Sequence, residues 1–195
     1  MAALRAGEHP QPVAGQLRRR AIYLAGPDVF LPDAAAIGRA KKEICRRHGF
    51  DARFPTDDPA GPLTAEGIFD ACVAMMRSCD LAVANLTPFR GISMDVGTAV
   101  EIGFMLASGR PVYGYTNVVA HYGHRARGAL ADLGGELVED FDLADNLMCE
   151  GAIARSGGLM VRHDAAPDRI WTDLAGFERC VQLIRPAPAD PGPRR

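Results

Sequence analysis

Two acidic residues, Asp95 and Glu101, stand in a segment that otherwise holds small and apolar residues. Asp95 occupies the position expected of a helix N-cap, and Glu101 follows one to two turns into the predicted helix. Glu101 stands between Val100 and Ile102, and the residue four positions further on is Met instead of Lys or Arg. A carboxylate among apolar groups near a helix N-terminus is a candidate nucleophile or general base.

The spacing of these carboxylates constrains how they can work together. Six residues correspond to about 600° of helical rotation, so two such side chains inside one helix would not share a face. A residue that caps the helix is free of that constraint, and both carboxyls can then border one pocket. Such a pair predicts acid–base or covalent chemistry at an acetal-type carbon, as in glycosyl transfer. A simple helix cap is the alternative interpretation of Asp95.

Motifs that hold a cofactor or an activated serine do not occur in the sequence. Neither G-x-G-x-x-G, G-x-x-x-x-G-K-[ST] nor G-x-S-x-G is present, which disfavours dinucleotide, ATP and serine-hydrolase chemistry. His121 and His124 come closest to a metal pair, but no carboxylate stands at ligand spacing, so we interpret them as surface-loop histidines. We therefore expect no cofactor and no metal.

The elements that must position the carboxylates alternate between strands and helices. Apolar runs predict strands at 21–25, 50–54, 81–84 and 111–115. Helical periodicity predicts helices at 33–48, 65–78, 96–109, and near 146–156 and 171–183. This alternation predicts an α/β fold, a flavodoxin-like or Rossmann-like parallel sheet of four to five strands with helices on both faces. Ligands of such a sheet bind beyond the carboxyl ends of its strands.

Three of the predicted helices carry an apolar stripe that we expect to face the core. The stripes comprise Ile37, Ala40 and Ile44 in the first helix, Ile68, Phe69, Cys72, Val73 and Met76 in the second, and Val100, Gly103, Phe104 and Ala107 in the third. Asp70 falls on the polar side of the second helix, so we expect it to be solvated.

Composition places the chain among globular proteins, with 195 residues of which 48% are hydrophobic and 24% charged. We expect one domain at 20–185 between flexible tails at 1–19 and 186–195, the second of them Pro-rich. The formal net charge is −2. Because both ends are basic, the body between them carries about −7, which disfavours nucleic-acid binding.

The expected location is the cytoplasm. No apolar run approaches the roughly 18–20 residues of a membrane span, and the first residues lack the apolar region of a signal peptide. The five cysteines include no C-x-x-C pair, which suits a reducing compartment. We expect neither a membrane nor a nucleic-acid partner.

Four segments, in this order, resemble the nucleoside 2-deoxyribosyltransferases. They are IYLAGPDVF at 22–30, DLAVANLTPFRG at 80–91, DVGTAVEIG at 95–103 and DNLM at 145–148. The resemblance covers about residues 20–160. It implies a flavodoxin-like sheet and a two-step, retaining exchange of the base on a purine or pyrimidine 2′-deoxynucleoside, a reaction of nucleotide salvage.

The resemblance also implies a role for each residue of the site. Glu101 would attack C1′ and form a deoxyribosyl-enzyme ester, while Asp95 would protonate the departing base and deprotonate the incoming one. Tyr23 would hydrogen-bond Glu101 and hold its orientation. Asn146 would bind the 5′ end of the sugar in a neighbouring subunit, which implies a homo-oligomer. Without the resemblance, Tyr23 fits a buried strand tyrosine equally well, and Asn146 fits a helix cap.

Three further residues are assigned to substrate binding by the same resemblance. Gly26 would let the backbone approach the ligand, and Phe30 would stack on the base; a plain turn glycine and a core phenylalanine are the alternatives. Cys72 stands where many relatives carry an Asn or Asp that contacts the sugar. A thiol is a poor replacement for a carboxamide in hydrogen bonding, and Asp70 is a weak substitute on the solvated side.

Two other functions remain open at this point. An N-glycosidase would let water resolve the same intermediate, acting on a nucleoside or on a 5′-monophosphate. A phosphate would need a cation or a helix N-terminus at the 5′ end; Arg90 and Ser93 are the candidates, but the acidic body of the chain disfavours a monophosphate. A non-catalytic nucleotide-sensing module of the same fold would have no use for Asp95 and Glu101.

Overall fold

A computed structural model describes residues 18–57, 64–130 and 138–185. These residues form a five-stranded sheet in which every neighbouring pair of strands is parallel, with the order β2-β1-β3-β4-β5. The predicted α/β fold class with a parallel sheet is therefore confirmed, and the observed strand order is the flavodoxin-like one. The predicted tails at 1–19 and 186–195 lie almost entirely outside the described residues and stay predictions.

The boundaries of the elements agree with the sequence patterns to within a few residues. The strands are β1 (Ala21–Ala25), β2 (Asp51–Arg53), β3 (Leu81–Asn85), β4 (Val112–Thr116) and β5 (Met160–Arg162). The α-helices are α1 (Ala34–Arg47), α2 (Ala65–Ser78), α3 (Val96–Ala107), α4 (Tyr122–Leu130), α5 (Leu147–Arg155) and α6 (Ala175–Gln182), and short 3-10 helices lie at Pro27–Phe30 and Pro167–Arg169.

The order of the strands determines where a ligand can bind. β1 pairs with β2 on one side and with β3 on the other, so the order reverses between β1 and β3. All residues of β1, β3 and β4 are buried, as expected of a sheet covered on both faces. One face packs against α1 and α6, and the other against α2, α3 and α5. The crevice at the carboxyl ends of β1 and β3 is therefore the expected binding site.

On α1 and α2, three of the expected core positions are wrong. Ala40 on α1 is exposed, and the residue beside it, Lys41, is buried instead. Ile68 and Phe69 on α2 are exposed because the contacts of that helix with the sheet begin further along it. Asp70 is exposed, as expected.

On α3 the predicted stripe lies mainly on the outside. Val100, Gly103 and Ala107 are exposed and Phe104 is half-buried, whereas Ile102 and Met105 are buried in the core. Nearly every residue of α3 is apolar or small, so hydrophobic periodicity could not identify the side that faces the sheet.

Two elements, β5 and α4, were not predicted from the sequence. β5 has three residues, too few to show a periodicity, and α4 has the polar sequence YGHRARGAL. His124 therefore lies on the exposed face of a helix, not in a loop as predicted, while His121 directly precedes that helix.

A buried ion pair closes the carboxyl end of β1 on the side of α1 and α6. Lys41 Nζ lies 2.7 Å from Asp28 Oδ2, and both residues are 2% exposed. The ammonium also lies 5.4 Å from the ring centre of Tyr115 and 5.3 Å from that of Phe177. Asn85 Nδ2 donates a second hydrogen bond to Asp28 Oδ2 at 3.2 Å. The ends of β1 and β3 are thereby joined through one carboxylate.

Removing the lysine should destabilise the fold strongly. We expect Lys41→Met to lower the free energy of unfolding by about 3–5 kcal/mol, because the buried Asp28 carboxylate loses its counter-charge. Lys42→Met on the same helix is the matched control: its partner Asp57 is solvent-accessible, and we expect a loss below about 1 kcal/mol. Urea unfolding measures both, and equal losses would contradict the prediction.

Candidate active site

The centre of the candidate site joins a strand to a helix. Tyr23 lies in the middle of β1 with its side chain on the face covered by α2, α3 and α5. Its hydroxyl donates a hydrogen bond of 2.5 Å to Glu101 Oε1 on α3. The contact implied by the resemblance is present, and the ring is buried as a strand tyrosine would be. Glu101 is thus held from the sheet as well as from its own helix.

The surroundings of Glu101 change its acidity. Burial raises the pKa of the Glu101 carboxyl from 4.5 to about 7, the hydrogen bond from Tyr23 opposes that rise, and the nearby charge of Asp95 adds to it. Burial, together with the charge of Glu101, raises the pKa of Tyr23 well above its usual range, so the phenol stays a donor. Glu101 therefore changes its charge close to neutral pH.

Asp95 is the N-cap of α3. Its backbone is extended, with φ −61° and ψ 134°, and its Oδ2 accepts a hydrogen bond of 3.3 Å from Thr98 N. The direction of the Asp95 side chain is not set by the helical rotation, because the cap residue lies outside the helix. Its charge therefore acts on Glu101 despite the separation of six residues. The cap interpretation is therefore observed, and it is compatible with a catalytic role, which stays a prediction.

The loop after β1 passes tightly over the end of β3. Gly26 has φ +150°, and a Cβ there would lie 2.7 Å from Asn85 Cβ and 2.8 Å from Asp28 Oδ2. A side chain at this position would be strained in its backbone and would overlap both neighbours. The glycine is required by this close approach, which leaves its role toward a ligand as a prediction.

Aromatic rings line the rim of the crevice. Phe30 is 54% exposed, so it is not a core residue, and it stacks on Phe89 with ring centres 5.7 Å apart. Trp171 meets Phe89 edge to face, and the Arg90 guanidinium lies 5.1 Å from the ring centre of Phe30 and 4.6 Å from that of Phe89. Sequence reasoning missed Phe89 and Trp171, since Trp171 lies far away in the chain and belongs to none of the matching segments.

Known proteins resemble this chain in sequence and in fold. The sequence pattern that describes the nucleoside 2-deoxyribosyltransferases matches residues 22–148. The chain belongs to the nucleoside 2-deoxyribosyltransferase family. An uncharacterized protein of Schizosaccharomyces pombe, C191.05c, is 32% identical over 71% of this chain and 79% of its own length. Membership indicates an enzyme that acts on the glycosidic bond of nucleosides.

Solved structures share the fold of this chain. A 2-deoxyribosyltransferase from Leishmania mexicana is 28% identical, with a TM-score of 0.60 over 84% of this chain and 98% of that chain. A CMP N-glycosidase from Clostridium botulinum shares the fold, with a TM-score of 0.51 and 11% identity over 85% of this chain and 100% of that chain.

Cys72, at the position where the resemblance implies an Asn or Asp, lies in the candidate site. Burial raises the pKa of its thiol, the charge of Glu101 adds to the rise, and the nearby Tyr23 hydroxyl opposes it. The thiol is therefore a neutral neighbour of both Tyr23 and Glu101. Its contact with a sugar stays a prediction.

Asn146, in the DNLM motif of the family, caps α5. Its Oδ1 accepts a hydrogen bond of 2.9 Å from Met148 N, and its Nδ2 donates to Glu139 Oε1 at 3.1 Å. The helix-cap interpretation is thus what a single chain shows. Binding in a neighbouring subunit stays a prediction.

Residues 18–57, 64–130 and 138–185 contain neither a metal-binding cluster nor a membrane-spanning helix. No group of three or more His, Cys, Asp or Glu there could hold a metal ion. Within the same part of the chain, no helix combines the length and the apolar character needed to cross a membrane.

Proposed function

We propose that this protein exchanges the base of 2′-deoxynucleosides through a covalent deoxyribosyl-enzyme intermediate, with retention at C1′. The contact of Glu101 with the Tyr23 hydroxyl at 2.5 Å, with the Asp95 charge close by, carries the proposal. These are a fixed nucleophile and an adjacent acid at the ligand-binding edge of the sheet.

The two carboxyls divide the reaction between them. Ionised Glu101 attacks C1′, the bond from C1′ to the base breaks with its electron pair moving to the base, and Asp95 supplies a proton to the departing nitrogen. A second base then loses a proton to Asp95 and attacks C1′, which releases the Glu101 carboxylate. Two inversions give net retention. We place the departing base against Phe30 and the sugar beside Cys72.

A second copy of the chain completes the site in this proposal. Val100 on α3 is 62% exposed and Met148 on α5 is 72% exposed, and Ile68 and Phe69 on α2 are also uncovered. These apolar residues lie on the helices that cover the Tyr23 face of the sheet, and they suit contact with another subunit. Asn146 directly precedes the exposed start of α5 and would enter the neighbouring site from there.

Mixing two inactive variants tests this arrangement. Glu101→Gln lacks the nucleophile, and Asn146→Ser keeps a helix cap but lacks the amide. If each site combines Glu101 of one chain with Asn146 of another, co-refolded mixtures regain exchange activity that neither variant has alone. No recovery in mixed oligomers, or full activity of Asn146→Ser, would contradict a shared site.

The direct test of the function is an exchange assay. Incubation with 2′-deoxyinosine and free adenine should yield 2′-deoxyadenosine and hypoxanthine, separated by chromatography. Hypoxanthine release without deoxyadenosine would favour the N-glycosidase alternative, for which the 5′-monophosphate is tested in parallel. Lack of turnover with any deoxynucleoside would overturn the enzymatic proposal.

The acidity of Glu101 predicts a pH dependence. Because attack needs the ionised carboxylate and its pKa is about 7, kcat/KM should fall about tenfold per pH unit below 7 for 7-methyl-2′-deoxyinosine, whose cationic base leaves without a proton from Asp95. Tyr23→Phe removes the hydrogen bond that lowers this pKa, so the acid limb should move to higher pH. Tyr113→Phe, on the opposite face of the sheet, is the control and should leave the limb in place. An unmoved limb in Tyr23→Phe would contradict the assignment.

A further inference from the structure

Asp145 is a buried carboxylate to which the proposed chemistry gives no role. It is 0% exposed. Its Oδ2 accepts a hydrogen bond of 2.8 Å from Met94 N, and its Oδ1 accepts one from the Ser93 hydroxyl and one of 2.8 Å from Asn146 N. Two of these three donors lie in the residues immediately before Asp95.

Arg125 on α4 balances this charge and ties the same segments together. Its Nη2 lies 3.6 Å from Asp145 Oδ2, and its side chain is largely buried. The guanidinium donates to backbone carbonyls of three loops: to Ile92 O at 2.9 Å, to Ala144 O at 2.7 Å, and to Ala120 O. The loop that leads to α3 is therefore held by side chains from two later segments of the chain, α4 and the residues just before α5.

We propose that Asp145, with Arg125 behind it, is the positioning residue that places Asp95 for proton transfer to the base. The inference rests on the proposed base exchange. Asp95 is a cap with non-helical backbone, so the helix interior does not fix the peptide on its N-terminal side. That peptide follows Met94, whose N–H is held by Asp145.

The nucleophile is supported independently of this cluster. Glu101 lies inside the hydrogen-bonded part of α3 and is held by Tyr23 from β1. Loosening the Asp145 cluster should therefore displace the acid and leave the nucleophile in place. A displacement of about 1 Å in a reacting group can reduce a rate about 10²-fold.

A substrate that needs no acid separates positioning from general structural support. In 7-methyl-2′-deoxyinosine the base is cationic, so the electron pair of the breaking bond neutralises it and no proton is required. In 2′-deoxyinosine the base departs with a proton from Asp95. The measured quantity is the rate of base release in a single turnover, which excludes the second half of the exchange.

We expect Asp145→Asn to release hypoxanthine from 2′-deoxyinosine about 10²-fold more slowly than the unmodified protein. With the 7-methyl substrate its rate should stay within about threefold, the same pattern that Asp95→Asn gives when only the acid is lost. Ser93→Ala removes one hydrogen bond of the cluster and provides the milder variant, with the same substrate pattern at smaller size. Asp140→Asn, in an exposed ion pair with Arg127, is the matched control and should change neither rate.

The outcomes differ for the two proposals. The positioning role would be overturned if Asp145→Asn and Ser93→Ala each slowed base release from the 7-methyl substrate as much as from 2′-deoxyinosine, or slowed it from neither. Either result would leave base exchange intact. If the unmodified protein released base from neither substrate, the proposed function would fail and the positioning role with it.

Discussion

Glu101→Gln should lower the rate of base exchange by at least about 10⁴-fold, the size of effect seen when a catalytic nucleophile is removed. The amide nitrogen cannot form the ester, while the amide oxygen still accepts the hydrogen bond from Tyr23. Chromatographic exchange assays measure the loss. Glu66→Gln, an exposed carboxylate on α2, is the control and should retain full activity. Residual exchange above about one part in a hundred would identify Glu101 as something other than the nucleophile.

The same variant should be more stable than the unmodified protein at alkaline pH. The folded pKa of Glu101 is about 7 against 4.5 for an ordinary glutamate, so between these values the folded state binds more protons than the unfolded state. Stability therefore falls as pH rises from 4.5 to 7, by about 2–3 kcal/mol for this group. Gln does not titrate, so its advantage in urea unfolding should appear at pH 8 and disappear at pH 4.

Intact-mass measurement tests the intermediate itself. Acid quenching of the unmodified protein during turnover of 2′-deoxyinosine should reveal a fraction of chains heavier by one deoxyribosyl group, with the added mass on the peptide that contains Glu101. The Glu101→Gln protein should show no added mass. A turning-over enzyme that never carries the adduct would favour direct displacement and inversion at C1′.

Asp95→Asn should slow base release from 2′-deoxyinosine by about 10²–10⁴-fold, the usual contribution of a positioned general acid. The fold should be preserved, because Asn caps a helix about as well as Asp. Asp95→Asn therefore tests proton transfer alone, whereas Asp95→Ala would remove the helix cap as well. Thr64→Asn, which alters the N-cap of the neighbouring α2, is the control for changes of cap chemistry. A loss below tenfold would leave Asp95 with its structural role alone.

The sequence was informative where patterns are local and strong. Strands that are mostly apolar, separated by helices, predicted the parallel sheet, and four ordered segments predicted the family. Glu101 could be identified as a candidate functional residue because its carboxylate stands between two apolar residues, Val100 and Ile102. The hydrogen bond to Tyr23 followed from the resemblance, since no spacing rule connects residues so far apart in the chain.

Other features depend on tertiary packing that one sequence does not reveal. Lys41 is a charged residue but is buried, because it forms an ion pair with Asp28 at the end of β1. The rim stack of Phe30, Phe89 and Trp171 joins three distant loops. The core-facing side of α3 could not be distinguished in a helix that is apolar nearly all round.

The proposed nucleophile and the proposed acid are held in place by different kinds of structure. Glu101 is supported by the interior of a helix and by a single side chain of a core strand, Tyr23. Asp95 depends on a few particular side chains, Asp145 and Arg125 among them, that have no near equivalents. Under neutral mutation the acid should therefore be lost before the nucleophile. A gene copy that accumulates mutations without selection would encode a protein that keeps the covalent step and accepts only nucleosides whose bases leave without a proton from Asp95.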